Sequence, residues 1–270
     1  MTGRALALRV MPPVVFGLGR GRRVIERDLL VARRTWWIPL SGIAEPVFYL
    51  LSIGIGIGKL VGGVPGPDGT TIPYAVYVAP GLLAASAMNG AVFESTFNVY
   101  FKLRYAKIFD AMLATPVEAT EVARGEITYA LIRGAVYASV FVVMMAALGD
   151  VYSWWAVLAL PAAVLIGFAF AAVGMATTTY MRGWTDFDLV QLVLLPLFLF
   201  STTFYPLSIY PRWLQLVVEC TPLYQGVSLV RALTLGYVGL AAVGHVLYLA
   251  VMAAIGVAVS GRRIRVLLLR

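Results

Sequence analysis

The sequence predicts an all-α membrane protein of six transmembrane helices, with both chain ends on the same side. Three observations carry that prediction. Of 270 residues, 61% are hydrophobic and 13% charged, where soluble domains hold about 45–50% and about 25%; that much apolar surface needs lipid as its solvent. The apolar residues fall into six stretches near the ~20 residues that cross a bilayer, which leaves no room for a large soluble domain. The bases also sort by connector. Eight arginines precede residue 35, four bases lie in 99–126, Arg182 stands in 181–186 and four arginines follow residue 261, seventeen in all on one side. The other side holds Arg212 and Arg231, with Lys59 at its border, and Arg133, early in the third span, sits nearer the basic side, so the positive-inside rule makes the basic side cytoplasmic.

The net charge of +8 is thus an orientation signal, and no face of interleaved bases and aromatics suggests nucleic acid. Arginine outnumbers lysine 18 to 3, a bias read as that of a high-GC bacterial genome. The single Cys220 excludes an intramolecular disulfide framework and a thiolate metal cluster.

In chain order, residues 1–36 form a cytoplasmic head. Ile25, Leu29, Ala32 and Trp36 share one helical face there, with Arg23, Arg27 and Arg34 opposite, the pattern of a helix lying in the headgroup layer. The spans are expected at 37–61, 75–98, 127–148, 154–180, 187–205 and 240–260. Gly54, Gly58 and Gly62 recur every fourth residue in the first span, a face for close helix packing. The string GIGIGIGKL is not a phosphate loop. Ile53 and Leu60 occupy positions where that motif needs Gly and Ser or Thr, so the chain carries no ATP site of its own. The connector 62–73 is turn-rich and contains no base.

The second connector, 99–126, is the longest polar stretch. Thr115-Pro116-Val117-Glu118 reads as a helix start, with Thr at the N-cap, Pro at N1 and Glu at N3. Before it, Tyr105, Ile108 and Met112 share one face of an amphipathic run. Two short helices would offer a knob to a cytoplasmic partner; a plain solvated loop is the alternative. The region 206–239 is aromatic and punctuated by prolines, in pieces too short to cross, and reads as re-entrant or interfacial helices on the outer face.

Few polar groups need explaining. Glu45 lies about nine residues, roughly 13 Å, into the first span, where an acid in lipid costs on the order of 2.5–3.5 kcal/mol. It either serves a translocation path or anchors a helix contact, and Pro46 beside it frees backbone carbonyls. Glu94 stands one turn from the cytoplasmic end of the second span, near Asn89 and Asn98. Snorkelling accounts for it, and a gating role is the alternative. Gln191 and Thr177-Thr178-Thr179 read as interhelical glue, and His245, the only histidine, as packing.

Taken in order, Glu45-Pro46 with the glycine-rich end of span one, APGLLAASAMNGAVFESTFNVYFKL (79–103), FDAMLATPV (109–117) and FSTTFYPLSIYPRWLQ…TPLYQGVSLVR (200–231) resemble the membrane subunit of an ABC-2 type exporter. The closest subgroup is the permeases for nodulation lipo-oligosaccharide and daunorubicin-type drugs. Ser201-Thr202-Thr203 departs from the small-residue pair, Gly included, of many relatives. The resemblance implies a dimer with a second permease copy or paralogue, resting on cytoplasmic ABC ATPase subunits. These would bind the ATP and Mg²⁺, with no cofactor in this chain. It places Glu45, Asn89, Glu94 and Phe200 along the translocation path. Residues 104–118 become a coupling helix through Arg104, Tyr105, Ile108, Phe109, Met112, Thr115 and Pro116. Phe204, Tyr205, Pro206 and Tyr224 fall at an outer gate.

The expected function is therefore that of a non-enzymatic subunit exporting an amphipathic, lipid-linked or drug-like substrate across the cytoplasmic membrane. Two rivals stand beside it. A proton-coupled secondary transporter would use Glu45 or Glu94, but no internal repeat is visible. A lipid-modifying enzyme would need a cluster of His, Asp or Cys near one leaflet, and the chain has one His and one Cys.

Overall fold

The computed structural model describes residues 22–34, 44, 46–66, 70–105, 108, 112 and 119–268. They form an all-α membrane protein with one small hairpin. α1 (Arg22–Arg34) is amphipathic, and Arg33 and Arg34 in its last turn suit the negative end of the helix dipole. α2 (Pro46–Val61) is apolar and short, π-wound from Leu50 to Ile57. The turn-rich connector after it pairs Gly63–Pro65 (β1) with Thr71–Pro73 (β2) in antiparallel register. Val64 and Ile72 face each other there and are both buried.

α3 (Tyr74–Asn98) is α-helical to Phe93 and π-wound from Glu94, and a further π turn covers Phe101–Tyr105. α4 (Ala119–Leu148) starts eight residues before the expected span. A 3₁₀ turn at Trp154–Leu158, capped by the Ser153 hydroxyl, leads into α5 (Ala159–Thr178). α6 (Asp186–Leu199), α7 (Arg212–Glu219), α8 (Pro222–Leu235) and α9 (Leu240–Leu268) complete the chain.

Helix α5 is central, packed against α3, α4, α8 and α9. Its small residues make that possible. A Cβ added to Gly256 of α9 would come within 2.7 Å of the Ala172 backbone, so these two helices touch main chain to main chain. The Thr178 hydroxyl donates to the Ser95 carbonyl at 2.9 Å and joins α5 to α3. α3 is mostly buried, while α4 and α9 expose rows of valine, leucine and isoleucine. Such faces are stable only against lipid. Among the described residues, four helices are long and apolar enough to cross a bilayer: Tyr74–Asn98, Arg124–Leu148, Trp154–Thr178 and Leu240–Arg263.

Two expectations meet a different geometry. The fifth apolar stretch was expected to be helical to 205, yet α6 stops at Leu199 after 14 residues. Pro196 removes one amide from the ladder, and the chain then bends back through 200–206 with Thr202 at φ 60°. The buried Ser201, Thr202 and Thr203 lie against α3 at Gly81, where a Cβ would meet Thr203 at 2.8 Å. On α1, the buried face is Val24, Ile25 and Asp28, and Arg27 turns inward toward Glu126 instead of facing lipid with Arg23 and Arg34.

Candidate functional site

Between α2, α3 and α6 lies a groove. α2 contributes Pro46 and Tyr49, α3 contributes Ser86, Asn89 and Phe97, and α6 contributes Gln191, Leu194 and Phe198. Arg133 and Tyr137 of α4 close its back, and the space measures about 590 Å³. The size suits a drug-sized or acyl-chain ligand, and the walls are apolar with a few polar groups. Gln191, expected as interhelical glue, opens onto this space instead.

The wall charge comes as a pair. Arg133 Nη1 donates to Glu94 Oε2 at 2.5 Å, and Asn98 Nδ2 donates to the same oxygen at 2.7 Å. Arg133 Nε donates to the Tyr137 hydroxyl at 2.7 Å. Glu94 is buried, so a base of opposite sign satisfies it in place of snorkelling. Sequence reading counted Arg133 only as a base near the cytoplasmic side. The signal that finds it is simple: two opposite charges in neighbouring apolar helices have each other as the cheapest partner.

Asn89 lines the groove, and Glu94 reaches it only through Arg133, its ion-pair partner. Phe200 does not line it. Its ring lies 6.0 Å from that of Tyr210, in an aromatic group with Tyr205, whose ring is 5.4 Å from Tyr210. Phe204 is near this bend too, 5.2 Å from Phe198 by ring centroids, and its carbonyl accepts from the Tyr74 hydroxyl at 3.1 Å. Pro206 starts the 3₁₀ turn Leu207–Ile209, and Tyr224 sits in the first turn of α8. Glu45, Phe109, Thr115 and Pro116 lie outside the described residues, as does the side chain of Arg104.

The end of the bundle that carries α1 holds a second charged group. Arg27 donates to Asp28 at 2.6 Å and to Glu126 at 3.1 Å; Lys102 donates to the same two acids at 3.1 and 2.6 Å. Both acids are buried. Two bases against two acids make a neutral quartet, which ties α1 to α4 and to the chain leaving α3. Met112 packs beside it, against Val99, Val122, Ile127 and Met175. Tyr105 accepts a hydrogen bond from the Trp184 indole and stacks at 5.9 Å on Phe101. Two members of the amphipathic face in 99–126 thus have apolar neighbours elsewhere in the chain. Beside Trp184, the Asp186 carboxylate accepts the backbone amides of Arg182 and Gly183 at 2.6 and 3.3 Å, which holds its pKa below the ordinary aspartate value.

Comparison with known proteins gives one consistent result. A family model described as ABC-2 type transporter matches residues 22–235. Nodulation protein J of Rhizobium leguminosarum bv. trifolii is 32% identical over 201 residues, 73% of this chain and 74% of the relative. The protein of the same name from Sinorhizobium fredii is 33% identical over 194 residues, covering 71% and 72%. That of Bradyrhizobium diazoefficiens is 29% identical over 215 residues, covering 78% and 80%.

Proposed function

The chain belongs to the ABC-2 type transporter family, and on that premise we propose that it is the permease subunit of an ATP-driven exporter for an amphipathic or lipid-linked substrate. The transport subunit itself is not an enzyme. ATP and Mg²⁺ are used by a separate cytoplasmic ATPase, and a second permease copy or paralogue completes the path. The topology proposed is six spans with both termini in the cytoplasm. α2 and α6 supply the two spans beyond the four long helices, and α7 with α8 forms the outer interfacial and re-entrant region. The single observation that carries the reading is the groove, apolar on α2, α3 and α6 and backed by Arg133. It has room for a hydrocarbon chain and a polar contact for a headgroup.

In the proposed cycle, ATP binding closes the partner ATPases against residues 104–118. The quartet of Arg27, Asp28, Lys102 and Glu126 passes that push to α1, α3 and α4, and the groove walls separate. Phe204, Tyr205, Pro206 and Tyr224 form the outer gate. The proton-coupled alternative gains no support from Glu94, which is already engaged by Arg133 and Asn98; Glu45, its other candidate, lies outside the described residues.

The test is transport of a fluorescent amphiphile in proteoliposomes holding the permease and its ATPase. Efflux should require ATP hydrolysis and persist under a proton uncoupler. Efflux that stops with the uncoupler and ignores ATP would overturn the exporter reading. In the same vesicles, Glu94→Gln should lower transport several-fold without lowering the amount of permease.

A further inference from the structure

Arg231 is a base without an acid. α8 carries it into the bundle, where Nη2 donates to the Thr202 carbonyl at 2.8 Å and to the Tyr77 carbonyl at 3.3 Å. Its guanidinium lies 4.0 Å above the Tyr77 ring. The Nε group is sealed from solvent and donates to nothing, and among the described residues no carboxylate pairs with this side chain. Tyr210 lies by the same return: its hydroxyl is sealed from solvent, and its ring is 5.4 Å from that of Tyr205, its main interacting neighbour. Buried donors are nearly always satisfied. A cation in an apolar bundle costs free energy that two carbonyls offset only in part. A buried cation over the Tyr77 ring with an unused donor asks for an anion.

We propose that Arg231, with Tyr210 and the face of Tyr77, is a binding site for the anionic headgroup of the exported amphiphile. The site lies at the end of the path away from the Arg27–Glu126 quartet. The proposal rests on the exporter reading above. In this conformation the return at 200–206 covers the site, and the Thr202 carbonyl takes the donor the ligand would use. When that return moves, Nη2 and Nε of Arg231 face the path as a planar fork suited to a phosphate, sulfate or carboxylate. A headgroup is favoured over a free ion because the surrounding helices are apolar and open to lipid along α6 and α9.

The experiment uses the permease with its ATPase in nanodiscs. The probes are two single-chain amphiphiles bearing the same headgroup diazirine, anionic lysophosphatidylglycerol and an uncharged monoacylglycerol. During ATP turnover the wild type should crosslink the anionic probe at residues 74–81 or 200–231 in preference to the other. Arg231→Gln should cut that crosslink roughly tenfold, the scale of a lost charged hydrogen bond, and leave the uncharged one unchanged. Arg231→Lys should retain part of the preference. Equal loss of both probes, or no loss of either, overturns the proposal and leaves Arg231 as a pin for the 200–206 return. Should Arg231→Gln fail to reach the membrane, Tyr210→Phe decides. It removes one proposed donor and no backbone contact, so an unchanged preference overturns the site. Competition by millimolar inorganic phosphate would assign the site to a free anion and overturn the headgroup. Failure of the exporter reading looks different: the crosslink preference survives, but no amphiphile crosses the bilayer with ATP.

Discussion

Glu126→Gln removes one charge from a group whose signs now cancel. Glu126 is 3% exposed and accepts from Arg27 at 3.1 Å and from Lys102 at 2.6 Å. The amide oxygen of Gln still accepts, but the variant leaves two cations sharing Asp28 alone. Breaking a buried pair from one side costs about 3–5 kcal/mol. The bases retain 29% and 16% side-chain exposure, so water takes up part of the charge and about 2–3 kcal/mol is the working figure. The loss falls on the seam between α1 and α4, because a 13-residue helix is marginal by itself. Hydrogen exchange of α1 amides in nanodiscs should therefore speed up by about 30- to 150-fold, at 1.36 kcal/mol per tenfold, while α5 keeps its protection. Adding Lys102→Met restores neutrality and should recover most of the loss, a non-additive result. Unchanged exchange in α1, or a double variant worse than the single one, would refute the bracing role.

Three further outcomes follow from the same geometry. Gly81→Ala drives a methyl against Thr203 at 2.8 Å and should destabilise by about 1–3 kcal/mol, seen as a lower midpoint in thermal unfolding with the 200–206 return displaced. Asp186 has a depressed pKa because it accepts two backbone amides, so its contribution is present above the ordinary aspartate pKa of about 3.9 and is lost as pH falls through its lower folded value. In a variant whose other five tryptophans are replaced by Phe, Trp184 emission should stay constant from neutral pH down to about 4 and shift below it, and Asp186→Asn in that background should show the shifted spectrum at neutral pH. Ile108→Asp should reduce ATPase retention on purification without lowering permease yield. Met112→Asp should lower both, since Met112 also packs against Val99, Val122, Ile127 and Met175; equal yields of the two variants would refute that distinction.

The long helices were legible because lipid selects on composition: a stretch such as 154–178 must be apolar wherever it touches hydrocarbon. The faces were less legible. Ile25 was assigned to the apolar stripe of α1 and is buried, but Arg27 was assigned to the lipid side by helical angle alone. A long side chain reverses its direction for one acid, and Glu126 lies 99 residues away. Asn89 was singled out and lines the groove, whereas Arg133 was passed over because its partner sits on another helix. The end of α6 was hidden for a different reason. The residues 200–206 hold aromatics and hydroxyls that a membrane helix tolerates, and the stop depends on Thr202 taking φ 60° with its carbonyl held by Tyr77 and Arg231.

The bases carry a further distinction that counting by side does not make. The positive-inside rule weighs every arginine equally, because it acts while the chain inserts and side chains are still solvated. In the folded bundle they separate by what they reach. Arg27 and Lys102 are neutralised by Asp28 and Glu126, and Arg133 by Glu94. A neutral pair moves between conformations without moving net charge through lipid. Arg231 has two carbonyls and the Tyr77 ring and, among the described residues, no carboxylate, so it is held in place with its charge uncompensated. An anionic headgroup passing the 200–206 return would be drawn most strongly to that one base, and would leave as the carbonyls of Tyr77 and Thr202 reclaim it. The two uncharged acceptors thus set how weakly the site holds its ligand, and a release site must hold weakly.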